Sequence, residues 1–156
     1  IRFVKEFRNL THIPKPKLAN VNLKELLEEM ALLHKKELAD HTIAIKIEVK
    51  PVDLIVSADK IMIEQVLINL IKNAIVHNKL DGTVMISIEK SSLIVENDGS
   101  EQPLDGQKIF DRFHTNHISN ASTGLGLSIV KAITDHYHFS CTYMFDKKHI
   151  ISISFN

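Results

Sequence analysis

The sequence predicts an α+β, two-layer sandwich in which one mixed, mostly antiparallel sheet is covered on one face by three helices. Three observations carry that prediction. Short segments such as "TIAIKIEVK" alternate apolar and polar residues with the period of a half-buried strand. Three longer segments repeat apolar residues at helical spacing. The two kinds of segment intermix and then close on a pair of strands, an order that suits helices gathered on one side of a sheet.

Taken in order, "IRFVKEFRNL" sets Ile1, Val4, Phe7 and Leu10 at i, i+3 spacing, the last turns of an amphipathic helix. Pro14 and Pro16 cannot continue it and predict an extended linker. Asn22 reads as an N-cap with Glu25 as its capping-box partner, ahead of a helix to about Ala39. Leu23, Leu26, Leu27, Met30 and Leu33 form its core stripe. Ile43, Ile45, Ile47 and Val49 mark a strand, "DLIVSAD" adds a short one, and Asp59 begins a long helix. Asp81-Gly82 is a turn, followed by a strand with Val84, Ile86 and Ile88 inward. A short connection at Lys90-Ser91-Ser92 leads into the strand "SSLIVEN". Residues 98–122 are polar and long for a loop, which signals function or disorder. Leu127, Val130, Ile133 and Tyr137 restore helical period over Ser122 to His136, and "FSCTYMFD" and "KHIISISFN" are the closing strands.

Composition narrows the function. The 156 residues suffice for one domain with a substantial core. Lys plus Arg equals Asp plus Glu at 19 each, so no net field recruits nucleic acid or an anionic membrane. One cysteine, Cys141, cannot form an internal disulfide and suits a reducing compartment. The chain begins at Ile1 rather than Met, so it is expected to be a piece of a longer protein.

Three short stretches carry chemistry. On the long helix, Gln65, Asn69, Asn73 and His77 share one side, while Ile63, Val66, Leu67, Leu70, Ile71 and Ala74 share another. Asn is a poor interior residue for a helix, and a buried carboxamide costs free energy unless it is bonded. A carboxamide oxygen is also a hard, neutral ligand suited to Mg²⁺ that keeps phosphate and water around it; a simply solvated face is the competing reading. Thr123-Gly124-Leu125-Gly126-Leu127 opens a helix whose N–H groups and dipole suit an anion, although two glycines before an amphipathic helix are a weak signal alone. Asn97-Asp98-Gly99 ends a strand, where Gly99 permits positive φ or the close approach of a flat ligand; any turn also uses such residues.

In order and spacing, "DKIMIEQVLINLIKNAIVHN", "LIVENDGS", "IFDRF" and "STGLGLSIVKAI" resemble the N, G1, F and G2 boxes of sensor histidine kinases. The catalytic domain of that family has the Bergerat-type ATP-binding fold shared with gyrase, chaperone ATPases and mismatch-repair ATPases. The resemblance implies ATP and Mg²⁺ as cofactors, with Asn73 as the metal ligand, Asn69 facing the phosphates and both acting in catalysis. His77 would lie beside adenine, and Asn97 stands where the family has its adenine-reading Asp. Gly99 belongs to the same subsite, while Thr123, Gly124, Leu125, Gly126 and Leu127 would face the phosphates. Residues 100–122 would form a lid tethered by Phe110 and Phe113, with Arg112 or Lys108 reaching a phosphate.

Residues 1–12 would then be the end of a helical hairpin, 13–21 a linker and 22–156 the catalytic domain. The implied partners are a phosphoacceptor helical domain, in the same or the partner protomer, and a cognate response regulator. The implied parent is a membrane-anchored homodimer whose catalytic domain is cytoplasmic.

Several positions depart from the family pattern. Asn97 replaces Asp, Glu101 and Ser122 replace glycines, and Val76 stands where many members have Lys. An amide can flip, so Asn97 leaves adenine and guanine both open. Asn69 also stands where the hydrolytic relatives carry a Glu, and it cannot take a proton from water. Transfer to an external acceptor is therefore expected over hydrolysis; a binding-only module is the alternative, with a chaperone-type ATPase behind it. None of the nine histidines sits on a helix before an acidic residue, so the acceptor is expected upstream. His114 and His117, within the lid, read as surface residues, and His136 and His138 as structural.

Overall fold

Every central strand has one apolar face, and burying those faces under helices organises the chain. The structure, a computed structural model, describes residues 15, 17–50, 53–111 and 124–156. The elements are β1 (Ala19–Asn22), α1 (Leu23–Leu33), α2 (Lys35–Asp40), β2 (Ala44–Lys50), β3 (Ile55–Ala58), α3 (Lys60–Val76), β4 (Thr83–Glu89), β5 (Ser92–Asn97), α4 (Gly126–His136), β6 (Ser140–Phe145) and β7 (His149–Ser154). Five strands form one sheet in the order β2-β4-β5-β7-β6. Only the β2–β4 pair is parallel; the other three pairs are antiparallel. The expected mixed, mostly antiparallel sheet is therefore present.

The core lies between this sheet and the helices. Ile86, Ile88, Leu93 and Ile153 are fully buried from the sheet side. Leu23 and Leu27 of α1, Ile63, Leu67 and Ile71 of α3, and Ile129 and Val130 of α4 meet them from the helix side. Cys141 is buried as well, and that burial pushes its thiol up to about 11, far from a reactive thiolate. No helix among the described residues is long and apolar enough to cross a membrane.

The architecture differs from expectation in three places. Residues read as the end of a linker form β1, which pairs antiparallel with β3 (Val21 opposite Val56) and makes a second, two-stranded sheet. The helix expected from Asn22 to Ala39 is broken at His34, whose Nδ1 lies 2.8 Å from the Met30 carbonyl. Leu33, expected in the core stripe, is 69% exposed, while His34 and Leu38 are buried in its place. Four helices thus stand where three were expected. The last helix begins at Gly126 rather than Ser122. The helix end expected at 1–12, and Pro14 and Pro16, lie outside the described residues.

The expected N-cap at Asn22 is made, and Asp59, expected to begin the long helix, caps it. Asn22 Oδ1 accepts from the Glu25 N–H at 3.1 Å, and Asp59 Oδ1 from the Ile61 N–H at 2.9 Å. Asp59 also joins separate elements: its other oxygen accepts the Lys17 N–H at 2.9 Å, and its own N–H donates to the Tyr137 hydroxyl beyond α4 at 2.9 Å. Replacing Tyr137 by Phe leaves that N–H without its acceptor. The expected cost is about 1–2 kcal/mol, read as a lower urea midpoint with an unchanged m-value.

Candidate functional site

On α3 the polar residues are sorted as predicted. Asn69 is only 7% exposed, and its Nδ2 donates to the Gln65 carbonyl one turn back at 2.8 Å. Its Oδ1 faces the start of α4, 3.2 Å from where a β-carbon on Gly126 would lie. Position 126 is therefore glycine because α3 passes it at contact distance. Asn73, one turn further, is half-buried, and no described residue hydrogen-bonds its carboxamide. His77 closes the helix, its N–H donating to the Asn73 carbonyl at 3.1 Å.

The opening of α4 gathers the backbone N–H groups of a helix start. Gly124 has φ 72°, a left-handed turn that glycine adopts without strain. Leu125 is the N-cap residue and supplies no side-chain cap. The side chains of Leu125 and Leu127 are buried in the core, so only their backbone can serve a ligand. The N–H groups of the first turn have no intrahelical partner, and the helix dipole adds positive potential there. Acidic residues are absent from that turn. Its chemistry is that of an anion site.

At the other end of α3, β5 runs out through Asn97, Asp98 and Gly99. Asn97 is 5% exposed, and its Nδ2 donates to the Asp98 carbonyl at 2.8 Å. Asp98 Oδ2 accepts from both the N–H and the hydroxyl of Thr83, at 2.8 and 2.9 Å, while Lys148 Nζ lies 3.8 Å from Oδ1. Burial by itself would raise this carboxyl, but the two Thr83 bonds and the Lys148 and Lys79 charges hold it below its ordinary 3.8. Asp98 is thus bound into the sheet edge. Gly99 is required for space rather than for positive φ: a β-carbon there would lie 2.8 Å from the His77 carbonyl oxygen and 2.9 Å from His149 Cδ2.

Asn69 therefore meets the start of α4, with Asn73 one turn further along α3, and His77 meets Gly99 at the end of β5. Phe110 is half-buried against the core, but its neighbour Ile109 is the buried anchor of that loop. Lys108 is exposed. Arg112, Phe113, His114, His117, Ser122 and Thr123, with the second half of the expected lid, lie outside the described residues. Sequence reasoning passed over His149 and Tyr143, which hold the loop after Gly99. Strand parity carried the signal: His149 is in phase with the buried Ile151 and Ile153, and Tyr143 with the buried Cys141. An open apolar groove of about 440 Å³ between α1, α2 and β2, lined by Leu32, Leu38, Ile43 and Ile45 among others, contains none of the candidate residues. No cluster of three His, Cys, Asp or Glu side chains suited to a metal occurs among the described residues. A carboxamide such as Asn73 fits instead an ion that draws most of its ligands from phosphate and water.

Residues 58–153 match the family described as histidine kinase-, DNA gyrase B- and HSP90-like ATPases, and the chain belongs to that family. The heme sensor protein HssS of Staphylococcus epidermidis is 32% identical over 62% of this chain. The sensor histidine kinase Hik2 of Synechocystis is 32% identical over 72% of it. The chain spans only 22% and 29% of the lengths of those two relatives. The catalytic domain of histidine kinase ThkA, in a nucleotide-free form, superposes with a TM-score of 0.76 at 29% identity, over 89% of this chain and 95% of that one. ThkA has also been seen in complex with the response regulator TrrA, in a structure that aligns over 99% of this chain and 47% of that one with a TM-score of 0.77. Fold, family and relatives make this an ATP-binding catalytic domain of the sensor histidine kinase type.

Two outcomes follow from this geometry. Gly99→Ala forces the His77 carbonyl or the His149 ring to move, at an expected cost of about 1–3 kcal/mol, measured by chemical denaturation. Asp98→Asn removes a charge that the native state stabilises. The folded carboxyl titrates below its ordinary value, so its contribution is complete above pH 3.8 and is lost as pH falls through the lower folded value. Parent and variant should differ by about 1 kcal/mol at neutral pH and converge in acid.

Proposed function

We propose that the domain binds Mg-ATP and transfers the γ-phosphoryl group to a histidine on a helical phosphoacceptor domain, its own or its partner protomer's. The observation carrying this reading is the meeting of Asn69 with Gly126, 3.2 Å from the missing β-carbon, which sets a carboxamide-bearing helix beside an uncapped helix start. The triphosphate would lie along that start, its charge met by backbone N–H groups. Asn73 would hold Mg²⁺, which when bound supplies neutralisation of phosphate charge. Asn69 keeps its amide on Gln65 and offers no carboxylate to activate water, which favours transfer to an outside acceptor through positioning and charge.

Asn97 favours adenine. One N–H of its amide is donated to the Asp98 carbonyl, which orients the oxygen as an acceptor for the adenine amino group while the second N–H stays able to donate. Asp98 is tied to Thr83 and leaves that task to its neighbour. His77, at the end of α3, would flank the base. Phe110 would tether the loop over the nucleotide, and Arg112 and Thr123 complete the phosphate side as the family resemblance implies.

By analogy with the ThkA–TrrA pair, the receiving partner downstream is a response regulator. The parent is proposed to be a homodimeric, membrane-anchored sensor kinase with this domain in the cytoplasm.

Calorimetric titration tests the reading. The parent should bind Mg-ATP in preference to Mg-GTP by roughly tenfold, the worth of one well-placed hydrogen bond. Asn73→Ala should abolish the magnesium-dependent part of ATP affinity while matching the parent in EDTA. An Asn73→Ala variant that binds Mg-ATP as the parent does would contradict the metal assignment.

A further inference from the structure

His149 opens β7, opposite Asn97 on β5 and Phe145 on β6, and is 6% exposed. The residues in phase with it further along the strand are Ile151 and Ile153, so an imidazole here is costly unless its nitrogens are bonded. Both are. Nδ1 lies 2.8 Å from the Tyr143 hydroxyl, and Nε2 lies 2.9 Å from the Ser100 carbonyl and 3.3 Å from the Ser100 hydroxyl. The Tyr143 hydroxyl also accepts the Leu104 N–H at 2.9 Å. Nε2 therefore carries a proton, which it donates to the Ser100 carbonyl.

Every polar contact of this histidine therefore goes to the loop leaving β5 or to the tyrosine that holds that loop. Its carbon edge does related work. Cδ2 lies 2.9 Å from where a β-carbon on Gly99 would sit, and the His77 carbonyl oxygen lies 2.8 Å from the same point. The end of α3 and the His149 ring thus fill the space beside the turn that carries Asn97 into the loop.

From this geometry we propose that His149 is a positioning residue for nucleotide binding, fixing the backbone of Gly99 and Ser100 so that Asn97 and His77 present one base-binding edge. The proposal rests on the nucleotide reading given above and adds a residue to it that touches neither nucleotide nor metal. Its two arms have separable jobs. The Nε2 arm to Ser100 sets the base subsite; the Nδ1 arm to Tyr143 sets the Leu104 stretch of the loop.

The two amide replacements divide the arms. His149→Asn places its amide near Nδ1 and keeps the Tyr143 bond without reaching Ser100, whereas His149→Gln reaches Ser100 and loses Tyr143. Two measurements on each variant and on His149→Ala suffice: amide exchange at Leu104 in the nucleotide-free protein, and the dissociation constant for Mg-ATP. His149→Asn should keep Leu104 protected yet weaken Mg-ATP about tenfold, the loss of one hydrogen bond's worth. His149→Gln should do the reverse, with affinity near the parent's and faster exchange at Leu104, and His149→Ala should lose both. A residue that merely fills the core would give no such crossed pattern. Equal losses of affinity in the Asn and Gln variants, tracking their melting temperatures, would overturn the proposal, as would unchanged Leu104 exchange in His149→Ala. If the parent itself binds no Mg-ATP, the nucleotide reading and this proposal fall together; the exchange data, which need no nucleotide, tell that outcome apart from the absence of an anchor.

Discussion

Helix α3 can pass the start of α4 at contact distance because position 126 carries no side chain. That approach sets the proposed phosphate end of the site. A methyl group at 126 would meet Asn69 Oδ1 at 3.2 Å, tighter than ordinary van der Waals contact, so the Asn69 amide would have to give by a few tenths of an ångström. Asn73 lies one turn from the contact. Asn69 tolerates its place among Leu67, Leu70 and Ile71 because its amide is returned to the Gln65 carbonyl, which removes the usual cost of burying it. Asn69 and Gly126 together decide how far the polar face of α3 stands from the N–H groups of α4.

The opposite end of α3 is fixed from the sheet. Asp98 is drawn to Thr83 at the head of β4, Gly99 is squeezed between His77 and His149, and Ser100 and Leu104 are tied to β7 and β6. The helix C-terminus, the β5 turn and the following loop therefore form one bonded unit. A site pinned at two points along a single helix holds its ends at constant separation. That is what positioning catalysis requires when there is little covalent chemistry for the protein to perform.

Much of this was legible in the residues. Alternation gave away the strands of the large sheet, helical spacing the three helical segments, and Asn22 and Asp59 their caps, because local chemistry decides those features. The short strand in "DLIVSAD" was legible as β3, but β1 and its pairing with β3 escaped, since four residues at the end of a linker give too short a period to read. The break at His34 escaped because the apolar spacing runs on through it; only the bond from the ring to the Met30 carbonyl shows where the helix turns away. Gly99 was recognised as special, with positive φ and close approach both left open. That distinction depends on His77 and His149, respectively 22 and 50 residues distant in sequence. His149 had a parity signal and was still missed, since a histidine in phase with isoleucines looks like a register irregularity until its partners are known.

The most direct measurement is paramagnetic relaxation by Mn²⁺ substituted for Mg²⁺ in a complex with ATP, followed on backbone and carboxamide resonances. Broadening centred on the Asn73 carboxamide and the amides of Gly126 and Leu127, fading along α3 toward Gln65, is expected if the metal and phosphates lie between the two helices. Broadening centred instead on the groove of Leu32, Leu38 and Ile45, or absent from both helices, would contradict that placement.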